Sequence, residues 1–151
     1  MTIKNNGERE NLIEGGKRLA RVLEALRDKA APGVTAEELD DLAERMIRTG
    51  GDEPCFLGYT PEGANRPYPA TLCVSINDEV VHGIPNESLK VLKEGDIVGL
   101  DLGLTHNGVI VDAAITVPIG EVDELTNKLL RATEEALSRL ETDFKKGDTA
   151  A

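Results

Sequence analysis

At 151 residues, 40% hydrophobic and 30% charged, the chain has the balance of an ordinary globular domain and enough length to bury a core. Its 28 acidic against 17 basic residues give a net charge of -11, which disfavours nucleic-acid backbones and anionic membranes as partners and favours cations. No run of about 18 apolar residues could span a bilayer, and the start, MTIKNNGERE, lacks the apolar segment of a secretory signal, so a cytoplasmic location is expected.

From Asn11 to about Ala31, Leu12, Leu19, Val22, Leu23 and Leu26 recur at helical spacing, and Pro32-Gly33 stops the helix. Thr35-Ala-Glu-Glu38 is a capping box that opens a second helix. Leu39, Leu42, Ala43, Met46 and Ile47 form its apolar stripe, and Gly50-Gly51 ends it. The Gly- and Pro-rich segment from Asp52 to Pro69 reads as a loop, yet it holds Phe56, Tyr59 and Tyr68, three of the four aromatic residues in the chain. Strands are expected at Thr71 to Ile76 and at Val80 to Pro85, followed by two more at about Asp96 to Leu104 and Val109 to Val117. Asp123 can cap a third helix to about Leu140, with Leu125, Leu129, Ala132, Ala136, Leu137 and Leu140 as its buried face. Helix, helix, strands, helix is an α+β pattern. Lys145 to Ala150 echoes Ala31 to Ala36, each placing Gly-x-Thr-Ala after a helix, which raises the prospect of an internal repeat. Cys55 and Cys73 lack a CxxC spacing and a secreted context, so they read as thiols.

The last two strands pose the sharpest question, because each carries one carboxylate, Asp101 and Asp112, in an otherwise apolar run. Side chains alternate across a strand, so Val98, Leu100, Leu102, Leu104, Val109, Val111, Ala113, Ile115 and Val117 share one face. Gly99, Asp101, Gly103, Asp112, Ala114 and Thr116 share the other, which is small and polar. A four-residue loop, Thr105 to Gly108, would set Asp101 directly opposite Asp112; a tight turn at Asn107-Gly108 would pair Asp101 with Ala114 and leave the carboxylates diagonal. Three uses are open to such a pair: solvation at a sheet edge, a shared proton, or a divalent cation held by oxygen ligands. His82 sits between Glu79-Val-Val and Gly83-Ile-Pro85, a stiff bend that presents its imidazole at a fixed place. His106 falls in the hairpin turn and reads as solvated.

Val74 to Pro85 (VSINDEVVHGIP), Lys93 to Val98 (KEGDIV) and the Asp101-to-Asp112 hairpin resemble type I methionine aminopeptidases, in order and in spacing. The resemblance implies the pita-bread fold, of which this chain would be the first pseudo-repeat, with helices on one face of a mainly antiparallel sheet. It places residues 1–151 as a single domain, the N-terminal part of a catalytic domain whose second half is absent. It implies a metal-dependent exopeptidase that removes the initiator methionine from nascent chains, at the ribosome, using two divalent ions (Co, Mn, Fe or Zn). Asp101 would bind one metal and Asp112 would bridge both, while His82 would hydrogen-bond the substrate near the scissile bond. Tyr59, Tyr68 and Cys73, with Phe56 nearby, match the methionine pocket, and a thioether gains from aromatic contacts. Two departures stand out: the loop between Tyr59 and Tyr68 is longer than the family's compact version, and Gly103 stands where many members carry threonine.

The family's remaining ligands, a histidine and two glutamates, have no counterpart here, and no histidine follows His106. The chain by itself is therefore expected to bind metal weakly, to show little or no peptidase activity, and to self-associate through an exposed sheet edge. Two other readings are a pita-bread binding module without catalysis and a half that assembles with another chain.

Overall fold

The computed structural model describes residues 3–143 of the chain, which fall into two compact units with their boundary between Glu121 and Val122. The Lys145 to Ala150 echo lies outside the described residues. In the first unit, helix α1 (Asn6–Lys29) starts at Asn5, whose side chain accepts from the Glu8 N–H, and carries Arg27 and Lys29 in its last turn. Both features favour the local dipole. Helix α2 (Ala36–Thr49) is opened by the expected capping box: the Glu38 N–H donates to Thr35 Oγ1 at 3.1 Å, and the Thr35 N–H donates to Glu38 at 2.8 Å.

A two-residue strand β1 (Glu53–Pro54) and strands β2 (Leu72–Ile76), β3 (Ile97–His106) and β4 (Val109–Pro118) form one antiparallel sheet. β3 is its centre, bonded along one side to β1 and β2 and along the other to β4. Among the described residues β4 pairs only with β3, which leaves its outer edge open. The apolar face of the hairpin behaves as its alternation requires, with Val98, Leu100, Leu102 and Leu104 fully buried under Leu19, Val22, Leu23 and Leu26 of α1 and the stripe of α2. Gly15 lets α1 approach the hairpin closely, since a Cβ there would lie 3.2 Å from the Cβ of His106.

Asp40 is the polar exception in this core. Only 7% exposed, it projects from α2 and accepts from the backbone N–H groups of Thr71 and Leu72, both at 2.8 Å. It thereby satisfies the N–H groups where the chain enters β2. Burial raises the proton affinity of this carboxyl against the lowering effect of its two N–H donors.

In the second unit the Thr126 N–H donates to Asp123 at 2.7 Å and helix α3 (Glu124–Asp143) follows, as the sequence predicts. Its apolar stripe is not the buried face expected: Leu125, Leu129, Leu137 and Leu140 are 55–77% exposed, and Ala132 and Ala136 are exposed too. An amphipathic period specifies which face seeks cover without specifying what covers it.

Candidate active site

The open face of the sheet is built from the small residues of β3 and β4. Asp101 lies opposite Cys73 of β2 on one side and Ala114 of β4 on the other, so these three form a row, while Asp112 lies opposite Gly103. The hairpin turns through Asn107 (φ 47) and Gly108 (φ 80), with His106 paired to Val109. Two successive positive φ values make a two-residue turn whose twist suits the strands, so the four-residue loop with facing carboxylates does not occur. The carboxylates are diagonal neighbours, a spacing on the order of 7 Å at the backbone. Burial raises the proton affinity of half-buried Asp101, Asp112 adds to the rise, and His82 opposes it.

This donor set fits a divalent cation: two oxygen ligands on one face of the hairpin, both lining one cavity. It is a partial shell, because among the described residues no group of three or more His, Cys, Asp or Glu side chains is placed to hold an ion.

His82 is brought to the same face by an irregular segment, not by the strand expected over Val80 to Pro85. His82 itself takes a left-handed φ of 59, which ends any extended run. The next residue is then pressed onto β2: the Val74 N–H donates to Gly83 O at 2.9 Å, and the Gly83 N–H donates to Ser75 Oγ at 3.1 Å. Only glycine fits there, since a Cβ would lie 2.1 Å from the Val74 carbonyl oxygen. His82 is exposed, and Val80 and Val81 are 89% and 61% exposed.

These side chains meet the aromatic loop in one cavity of about 360 Å³, lined by Phe56, Tyr59, Pro61, Tyr68, Cys73, His82, Asp101 and Asp112. All seven residues singled out from the sequence are thus brought together. Phe56 and Tyr68 meet edge to face, with ring centres 6.4 Å apart. The Tyr68 hydroxyl is directed to the carbonyl oxygens of Leu72 (3.2 Å) and Gly83 (3.3 Å), locking the ring to both β2 and the His82 turn. Burial pushes up the pKa of the Tyr68 phenol and of the Cys73 and Cys55 thiols, so this wall stays neutral at physiological pH.

Sequence reasoning missed Pro61, which enters from the long loop, where no periodicity signals direction. It also missed what Gly103 is for. A Cβ at Gly103 would lie 2.4 Å from Cys55 Sγ and 3.2 Å from the Phe56 ring, so the glycine makes the seat on which the aromatic loop rests. Gly103→Thr is expected to lower stability by about 1–3 kcal/mol through overpacking. Adding Cys55→Ala should restore at least a third of that loss in urea titrations; a double variant no more stable than the single one would refute the contact.

His106 is a correction. It is 8% exposed, its Nδ1 lies 2.7 Å from Oδ1 of Asp52, itself 6% exposed, and Arg18 donates to Asp52 Oδ2 at 3.4 Å and to Gly50 O at 2.7 Å. The imidazole is buried because β3 runs two residues beyond its expected end at Leu104, carrying His106 under α1.

A profile of metallopeptidase family M24 matches residues 10–151. The chain belongs to this family. Among M24 relatives, it is 43% identical over 130 residues to a methionine aminopeptidase of Aquifex aeolicus, covering 86% of the chain and 50% of that protein. It is 42% identical over 134 residues to methionine aminopeptidase 1 of Mycobacterium tuberculosis, covering 89% and 48%. The fold superposes on a crystal structure of the methionine aminopeptidase from Thermotoga maritima with a TM-score of 0.83 and 38% identity, over 92% of this chain and 53% of that one. The M24 chain thus spans about half the length of the curated relatives it matches, and its α+β architecture is that of about half a pita-bread structure.

Proposed function

We propose that this M24 chain supplies the first-residue pocket and two of the metal ligands of an aminopeptidase that removes methionine from the N-terminus of peptides and nascent proteins in the cytoplasm. The observation that carries the reading is the single cavity in which an aromatic and thiol wall adjoins His82, Asp101 and Asp112. Phe56, Tyr59, Tyr68 and Cys73 offer an uncharged, polarisable slot suited to a thioether. Asp101 and Asp112 hold divalent ions, in this reading Co, Mn, Fe or Zn. A bound divalent pair supplies Lewis acidity to polarise the peptide carbonyl and a nucleophile from water near neutral pH. His82, held out on its left-handed turn, hydrogen-bonds the substrate beside the scissile bond and orients it.

Metal binding tests the reading without needing turnover. In calorimetric titrations with Mn²⁺, Asp101→Asn and Asp112→Asn are each expected to weaken binding at least tenfold, and Met-Gly-Ala is expected to bind only with the metal present. Equal Mn²⁺ affinity in the wild type and both variants would overturn it.

A further inference from the structure

Eight residues, 60–67, separate the two tyrosines of the pocket, and they are organised as a strap. Its base is a backbone pairing, Gly58 N–H to Tyr68 O at 2.9 Å and Tyr68 N–H to Tyr59 O at 2.8 Å. Its tip folds back through a turn closed by Ala64 N–H to Pro61 O at 3.0 Å, with Gly63 at φ 84. That turn directs the Pro61 ring into the pocket wall beside Tyr59. Two ties then fasten the strap and the residue just beyond its base to the segment that follows His82. Arg66 forms an ion pair with Glu87, and Asn86 Nδ2 donates to Pro69 O at 2.9 Å.

We propose that this strap is a specificity-determining element: Pro61 closes the first-residue pocket against bulky side chains, and the Arg66–Glu87 pair fixes how far the ring enters. The inference rests on the proposed function, and it adds residues outside the metal and methionine contacts named there. On this proposal the slot bounded by Pro61 and the two tyrosines favours a thin, unbranched side chain over a ring. Loosening the Arg66–Glu87 tie lets Pro61 withdraw, which relaxes that exclusion while leaving the metal face intact. Because the pair is exposed, with side chains 59% and 39% accessible, its release is expected to shift selectivity severalfold and not to unfold the chain.

The chain itself provides the probe, since it has no tryptophan and its two tyrosines both line the pocket. Tyrosine fluorescence is followed while the full chain, with Zn²⁺ present, is titrated with L-methionine amide and with L-phenylalanine amide. The wild type is expected to favour the methionine ligand. Arg66→Glu and Glu87→Arg should each reduce that preference about threefold, Pro61→Gly should reduce it further, and the Arg66→Glu/Glu87→Arg double variant should recover it. Preference unchanged in Arg66→Glu and Pro61→Gly, a double variant that fails to recover, or equal weakening of both ligands would overturn the strap. A wild type that binds neither amide would instead overturn the function on which the strap rests.

Discussion

Replacing Asp40 with alanine is expected to lower the free energy of unfolding by about 2–4 kcal/mol, because it strips the acceptor from two buried N–H groups at once. Those groups, on Thr71 and Leu72, open the strand that carries Cys73, so the damage falls where helix, sheet and pocket meet. Asp40→Asn keeps an acceptor oxygen of the same shape and should stay close to wild type at neutral pH. The two differ in their pH response. Burial raises the folded-state pKa of Asp40 above its unfolded value, so its contribution is fully present below the ordinary carboxylate range and is lost as pH rises through the folded value. Urea titrations from pH 4.5 to 7 should therefore show wild type gaining on Asp40→Asn as the pH falls. A constant difference across that range, or an alanine variant within 0.5 kcal/mol of wild type, about the scatter of harmless surface changes, would count against the account.

The second large effect is expected at Gly83. Its added Cβ would lie 2.1 Å from the Val74 oxygen, 2.7 Å from the Val74 carbonyl carbon and 2.9 Å from the Ser75 Cα, all backbone atoms that cannot rotate away. In Gly83→Ala the His82 turn must lift off β2, losing the Val74 and Ser75 hydrogen bonds and the seat of the Tyr68 hydroxyl. A loss of about 2–3 kcal/mol follows from overpacking and two broken bonds. Binding of Met-Gly-Ala should fall at least tenfold while Mn²⁺ affinity changes far less, since Asp101 and Asp112 stand on other strands. An alanine variant that binds the peptide like wild type would show that the His82 turn does not shape the site.

How much of this was legible in the sequence depended on the range of the forces involved. The stripes of α1 and α2, the Thr35 box and the alternation of β3 are local patterns, and they appear as read, while on β4 the apolar face is buried at Val109, Val111 and Val117 but open at Ala113. The seven site residues were picked out by spacing and resemblance, and the fold gathers them in one cavity. What failed was settled at a distance. Val80-Val81 has strand chemistry, but the close approach of Gly83 to Val74 forces a turn. His106 looks like a turn residue until Asp52, 54 positions earlier, supplies its partner. The leucines of α3 declare a face without naming its cover.

The cluster of half-exposed Arg18 with buried Asp52 and His106 also bears on how the chain is made. Synthesis delivers the arginine and the aspartate first, and at typical elongation rates the histidine follows Asp52 by roughly 3–11 s for the 54 residues between them. Throughout that interval both helices can form, but Asp52 lacks the imidazole that shields it, and the stripe of α1 lacks the hairpin it covers. The first unit therefore cannot close progressively from its N-terminus. Its core is complete only once the hairpin has been made, since the stripe of α1 packs in one cluster with Val98, Leu100, Leu102 and Leu104.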